Sequence, residues 1–162
     1  MLKKGLIIVL GIILVVIIFN KKDTLIIDNN ISAEYDTQNY WGTLIIPSIN
    51  LNLRFYNYDS SLNDVDKNIE MIETGINNTF LIAAHSGISD IAYFNDLYLL
   101  KEGDDIYMKF KDNDMHFKVV RNYKVPKSGE IAITSAENKI YLTTCDQIIK
   151  GYQIIVEGEL VE

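Results

Sequence analysis

Hydrophobic positions follow two different rhythms along the chain. Between Gly5 and Phe19 they run without a break (GLIIVLGIILVVIIF), with Lys3-Lys4 before and Lys21-Lys22 after. From residue 41 onward they come in short bursts: Thr43 to Ile46, Leu51 to Tyr56, Thr79 to Ala84, Ile106 to Phe110, His116 to Val125, Ile140 to Thr144 and Tyr152 to Leu160. Val, Ile, Tyr, Phe and Thr dominate these bursts, several alternate apolar with polar, and Gly, Asn, Asp or Pro separate them. Successive side chains of a strand point to opposite faces, so such runs predict β-strands. Many short strands in one compact unit predict a mostly β fold, closed or nearly closed into a barrel. Asp64 to Ile76 and Ser89 to Leu100 instead carry apolar residues at helical spacing. The second of these has a cap candidate at Ser89 or Asp90 and Gly103 shortly after its end. Each predicts a short helix.

The uninterrupted run predicts an N-terminal membrane segment. Fifteen helical residues span roughly 22 Å, short of a hydrocarbon core of roughly 30 Å, but flanking lysines can snorkel and the bilayer can thin. No small-x-small cleavage site follows, since the next residues are Asn20, Lys21, Lys22 and Asp23. This favours an uncleaved signal anchor over a cleaved peptide. The expected organisation is an anchor over residues 1–22, a polar, patternless stalk over 23–40, and one β domain over 41–162.

Composition narrows the chemistry. With 48% hydrophobic and 23% charged residues the chain is globular in character. Four of its 15 basic residues precede position 23, and all 22 acidic ones lie at or after it. A domain so acidic is repelled by phosphate backbones, so no nucleic-acid partner is expected. One cysteine excludes a disulfide framework and a thiolate metal site. No cofactor is expected. The acidic pairs Asp104-Asp105 and Asp112/Asp114 offer oxygens of the kind calcium takes, but read as turn-forming surface carboxylates.

Two residues stand out. Cys145 ends the run Ile140 to Thr144, and His85 ends the run Phe80 to Ala84 just before Ser86-Gly87. A lone thiol on a secreted domain is a liability unless it is used, although most free cysteines are small buried hydrophobes. A histidine at a strand end beside glycine suits an acid/base at a barrel rim. His116 lies inside an alternating strand and reads as strand surface. The order His then Cys, 60 positions apart, fits papain-like enzymes badly, and the caspase signature around the cysteine is absent.

With these residues placed, the chain resembles the sortase family from about Tyr40 to Glu159. It carries the family's opening segment as Gly42-Thr43-Leu44-Ile45-Ile46-Pro47-Ser48-Ile49 and the histidine loop as Ala84-His85-Ser86-Gly87. The turn Leu100-Lys101-Glu102-Gly103-Asp104 follows, and then the cysteine strand as Tyr141-Leu142-Thr143-Thr144-Cys145. The resemblance implies an eight-stranded β-barrel held at the outer face of a Gram-positive cell membrane by residues 5–19. It implies a cysteine transpeptidase in which Cys145 attacks a backbone carbonyl in an LPxTG-like sorting signal of a surface protein or pilin. His85 serves as acid/base, and an amine from a cell-wall precursor or pilin takes the acyl group. Thr144 and Lys150 are candidates for contacting the substrate.

One departure from the family pattern bears on activity. Sortases use an arginine on the strand after the cysteine; here that segment reads Lys150-Gly151-Tyr152-Gln153-Ile154-Ile155-Val156, which puts Gln153 at the arginine position. The only arginines are Arg54 and Arg121. The alternative expectation is therefore a weakly active, membrane-anchored module that binds sorting signals. The short stretch Pro126 to Lys139 speaks against a class B pattern, and the lack of an Asp-Pro-aromatic lid speaks against the usual pilin-polymerising type.

Overall fold

Alternation along eight strands builds the molecule. The computed structural model describes residues 40–161, apart from 111, 129, 134 and 135. The expected anchor and most of the expected stalk lie outside the described residues. The strands are β1 (Gly42–Ile46), β2 (Leu51–Phe55), β3 (Glu70–Ile72), β4 (Phe80–Ala83), β5 (Asp105–Phe110), β6 (Asp114–Pro126), β7 (Lys139–Cys145) and β8 (Tyr152–Leu160). They form one sheet in the order β2-β1-β5-β6-β8-β7-β4-β3, which curls into a nearly closed barrel. The segment before β3 comes back to the far edge, where Asn68 donates to the Arg54 carbonyl of β2 at 2.9 Å.

Every second side chain fills the interior. Leu44 and Ile46 of β1, Ile106 and Met108 of β5, Phe117 and Val119 of β6, Ile140 and Leu142 of β7 and Ile154 and Val156 of β8 are buried in one cluster. Gly42, which opens β1, is required by close approach. A Cβ there would collide with the Phe55 ring and the Lys109 carbonyl.

The seven expected strands are present, and the eighth replaces an expected helix. Residues 64–76 hold turns and β3, with Ile69 and Met71 buried in the core. Ile69 and Met71 are two apart, which is strand spacing; the surrounding Val65, Ile72 and Ile76 gave the stretch its helical look. The expected helix at 89–100 is reduced to turns and a three-residue 3-10 helix, Leu97–Leu99. Another 3-10 turn, Pro47–Ile49, connects β1 to β2.

A β-bulge divides β6 into two stretches of opposite facing. The β6–β8 register shifts between Val119 and Arg121. Before the shift odd-numbered β6 residues point inward, with Met115, Phe117 and Val119 in the core. After it they point outward, with Tyr123 and Val125 packed on a second apolar cluster around Leu81, Tyr141 and Ile155. The cause is one extra residue in one strand, which offsets the alternation by a single position.

Candidate active site

β4 and β7 run parallel, with Phe80 opposite Ile140, Leu81 opposite Tyr141, Ile82 opposite Leu142 and Ala83 opposite Thr143. The offset of the pairing is the separation between His85 and Cys145. The ladder continues to the rim: the Ala84 N–H donates to the Thr143 carbonyl at 3.2 Å, and the Thr144 hydroxyl donates to the Ala84 carbonyl at 2.8 Å. His85 and Cys145 therefore leave two neighbouring strands at the same end. Leu81, Ala83 and His85 alternate onto the outer face, as do Tyr141, Thr143 and Cys145.

Gln153 completes the row. It is the direct antiparallel partner of Cys145 in β8, so it shares the outer face while Ile154 and Val156 fill the interior. Gln153 is 7% exposed. Its side-chain amide nitrogen has no hydrogen-bond partner among the described residues. A buried N–H left without a partner costs about 1–3 kcal/mol, so the row holds a donor with no acceptor among the described residues.

The two loops that leave this rim are tied together. The Ser86 hydroxyl donates to the Cys145 carbonyl at 2.6 Å. The His85 carbonyl accepts the Phe94 N–H at 3.0 Å. Gly87, at φ +134, turns the chain where a side chain would be strained. Asn95 clamps it from both sides, accepting the Gly87 N–H at 2.7 Å and donating to its carbonyl at 3.0 Å. Gln147, just past Cys145, donates to the same Asn95 oxygen at 2.8 Å.

Charge surrounds the row. The His85 Nε2 meets an Asp66 carboxylate oxygen at 3.0 Å, and the Lys127 ammonium donates to the Cys145 sulfur at 3.2 Å. Thus the imidazole and the thiol have different partners in this structure. On the inner side of the rim, Lys124 pairs with Asp146 at 2.6 Å. That ammonium, with the Ile148 N–H, holds the Asp146 carboxyl below its ordinary value. A cavity of about 300 Å³ opens there, lined by Ser86, Phe94, Thr144, Cys145, Asp146 and Ile154 among others.

Of the residues expected in the site, Cys145 and Gln153 are direct partners, and His85 leaves the neighbouring strand at the same end with its imidazole on Asp66. Thr144 faces inward, its hydroxyl committed to Ala84. Lys150 is exposed in the turn between β7 and β8. Arg54 lies on β2, its guanidinium 4.9 Å from the centre of the Tyr40 ring. Arg121 lies on β6, paired with Glu157. His116 stacks on Tyr107 at 4.5 Å, at the end of β6 opposite the one that pairs with Gln153. Asp105 is bonded to His116 and Lys118. Among the described residues no three metal-ligating groups converge. Asp66 and Lys127 carry no signal in the sequence. Asp66 sits in a polar loop and Lys127 directly after the end of β6, and only the sheet order brings them to the row.

Comparisons with known proteins point to one family. A family model described as Sortase domain matches residues 44–161. The chain is 25% identical over 134 residues to sortase A of Bacillus anthracis, covering 80% of this chain and 64% of that protein's length. Among solved structures, sortase C from Clostridium perfringens SM101 superposes with a TM-score of 0.60 at 27% identity, covering 77% of this chain and 71% of that one. Sortase C2 of Group B Streptococcus Pilus Island 1 superposes with a TM-score of 0.65 at 24% identity, covering 78% and 77%.

Proposed function

The chain belongs to the sortase family, and on that premise we propose that it is a cysteine transpeptidase working at the outer face of the cell membrane. The observation that carries the reading is the row His85, Cys145, Gln153 across three neighbouring strands on one face, reached through a parallel register offset by the spacing of the first two.

In the proposed reaction the Cys145 thiolate attacks the carbonyl carbon of a scissile peptide bond in an LPxTG-like sorting signal. The carbonyl oxygen becomes an oxyanion, and the Gln153 amide nitrogen, which has no partner among the described residues, is the proposed donor to it. Collapse breaks the C–N bond, and His85 gives its proton to the departing amine. A thioacyl enzyme remains, and an amine from a wall precursor or pilin attacks it, releasing the thiol. Splitting one difficult acyl transfer into two steps is the gain of covalent catalysis. Thr144 supports the rim by joining β7 to β4, and residues 5–19 anchor the enzyme.

A second reading, a weakly active module that binds sorting signals, is supported by the uncharged side chain of Gln153, the residue that the sequence alignment sets against the family's arginine. Incubating the full chain with LPxTG-like peptides and an amine, followed by mass spectrometry, separates the two. We expect a thioacyl adduct on Cys145 and a peptide–amine product. Peptide binding without either would establish the module instead.

A further inference from the structure

We propose that Lys127 supplies the positive charge at the Cys145 sulfur, an inference that rests on the reading of Cys145 as the nucleophile. Its ammonium donates to the thiol sulfur at 3.2 Å. The position is built into the sheet rather than left to a free loop. Val125 of β6 pairs with Gln153 of β8, which pairs with Cys145 of β7. Two residues beyond Val125, Lys127 extends that ladder by donating its backbone N–H to the Gly151 carbonyl at 2.8 Å. Because the bulge between Val119 and Arg121 turns odd-numbered residues outward, Lys127 emerges on the face that carries Cys145 and Gln153. Without the bulge it would face the barrel interior.

The neighbouring charges leave this role to Lys127. Lys124 is held by Asp146 at 2.6 Å on the inner side, Arg121 is held by Glu157, and His85 by Asp66. Lys150 is exposed in the following turn. Gln153, beside the sulfur, is uncharged. An ammonium against the sulfur attracts anionic reagents to it. Lys127 thus takes over, from another strand, the charge that Gln153 lacks.

The test compares alkylation of Cys145 in the full chain by iodoacetate and iodoacetamide, which differ in charge, with thioacyl formation measured separately. Lys127→Gln should lower the iodoacetate-to-iodoacetamide rate ratio about fivefold or more, with Lys127→Arg retaining it. In the unmutated chain the ratio should fall as salt is raised, since screening weakens the attraction; this holds whether or not a variant folds. A ratio insensitive to salt and unchanged in a folded Lys127→Gln protein would overturn the proposal, as would a fall produced by Lys150→Gln in its place. Alkylation needs no sorting signal, so its outcome is independent of whether the chain proves to be a transpeptidase.

Discussion

The outer face of β7 and β8 has two ends made from the same pair of strands, and they are built on opposite rules. At one end Glu157 sits 3% exposed between two cations. Lys139 donates to one of its oxygens at 2.6 Å, and Arg121 bonds the other. Burial alone would raise the Glu157 carboxyl, but the bonds from Lys139 and Arg121 outweigh it and hold the group below its ordinary value. At the other end Gln153 keeps an unpaired amide, the thiol rests against Lys127 and the imidazole against exposed Asp66. One end pairs its buried polar groups; the other leaves the buried Gln153 amide nitrogen without a partner among the described residues. Arg121 thus belongs to the closed end, paired with Glu157.

The largest effect expected from breaking this contrast is at the sulfur. Cys145→Ala should abolish the thioacyl adduct in mass spectrometry while the melting temperature stays close to that of the parent, because the substitution keeps most of a small side chain. His85→Ala should slow acylation by about 100- to 10,000-fold, the usual range for a general acid/base, as read from single-turnover kinetics.

Gln153 sharpens the comparison. Gln153→Ala should slow acylation, and Gln153→Arg should raise it about tenfold by providing a charged, forked donor. If neither variant changes the rate, the amide does not receive the oxyanion.

At the closed end the effect is on stability alone. Glu157→Gln leaves Lys139 half-paired and should cost about 2 kcal/mol, discounted because Arg121 is well exposed, as measured by urea denaturation. The Glu157 carboxyl lies lower in the folded chain than its ordinary 4.5. Its pairs therefore contribute fully above that range, and the contribution is lost as pH falls through the lowered value. The gap between parent and variant should accordingly close on acidification.

Much of the barrel was legible because alternation is a local signal. Leu142 and Thr144 point one way and Tyr141, Thr143 and Cys145 the other, whatever the neighbours are. The helix expected over Asp64 to Ile76 failed because a three-residue strand is too short to show its period, and Ile69 and Met71 are drawn inward by the core. Cys145 and His85 stood out as the lone thiol and a histidine at a strand end, and the Gln153 position followed from the family's apolar run. Lys127 was hidden for a different reason. Its contact spans 18 positions and depends on the order β6-β8-β7 and on a bulge at Val120, none of which a linear pattern records. Asp66, on the loop before β3, was hidden in the same way.

The central claim, that one end of this face is built for chemistry and the other for stability, is tested most directly by measuring acylation rate and melting temperature side by side for variants at both ends. Gln153→Ala and His85→Ala should move the rate and leave the melting temperature nearly unchanged, while Glu157→Gln should lower the melting temperature and leave the rate of the folded protein unchanged. Rim variants that melt early without a change in acylation would contradict it.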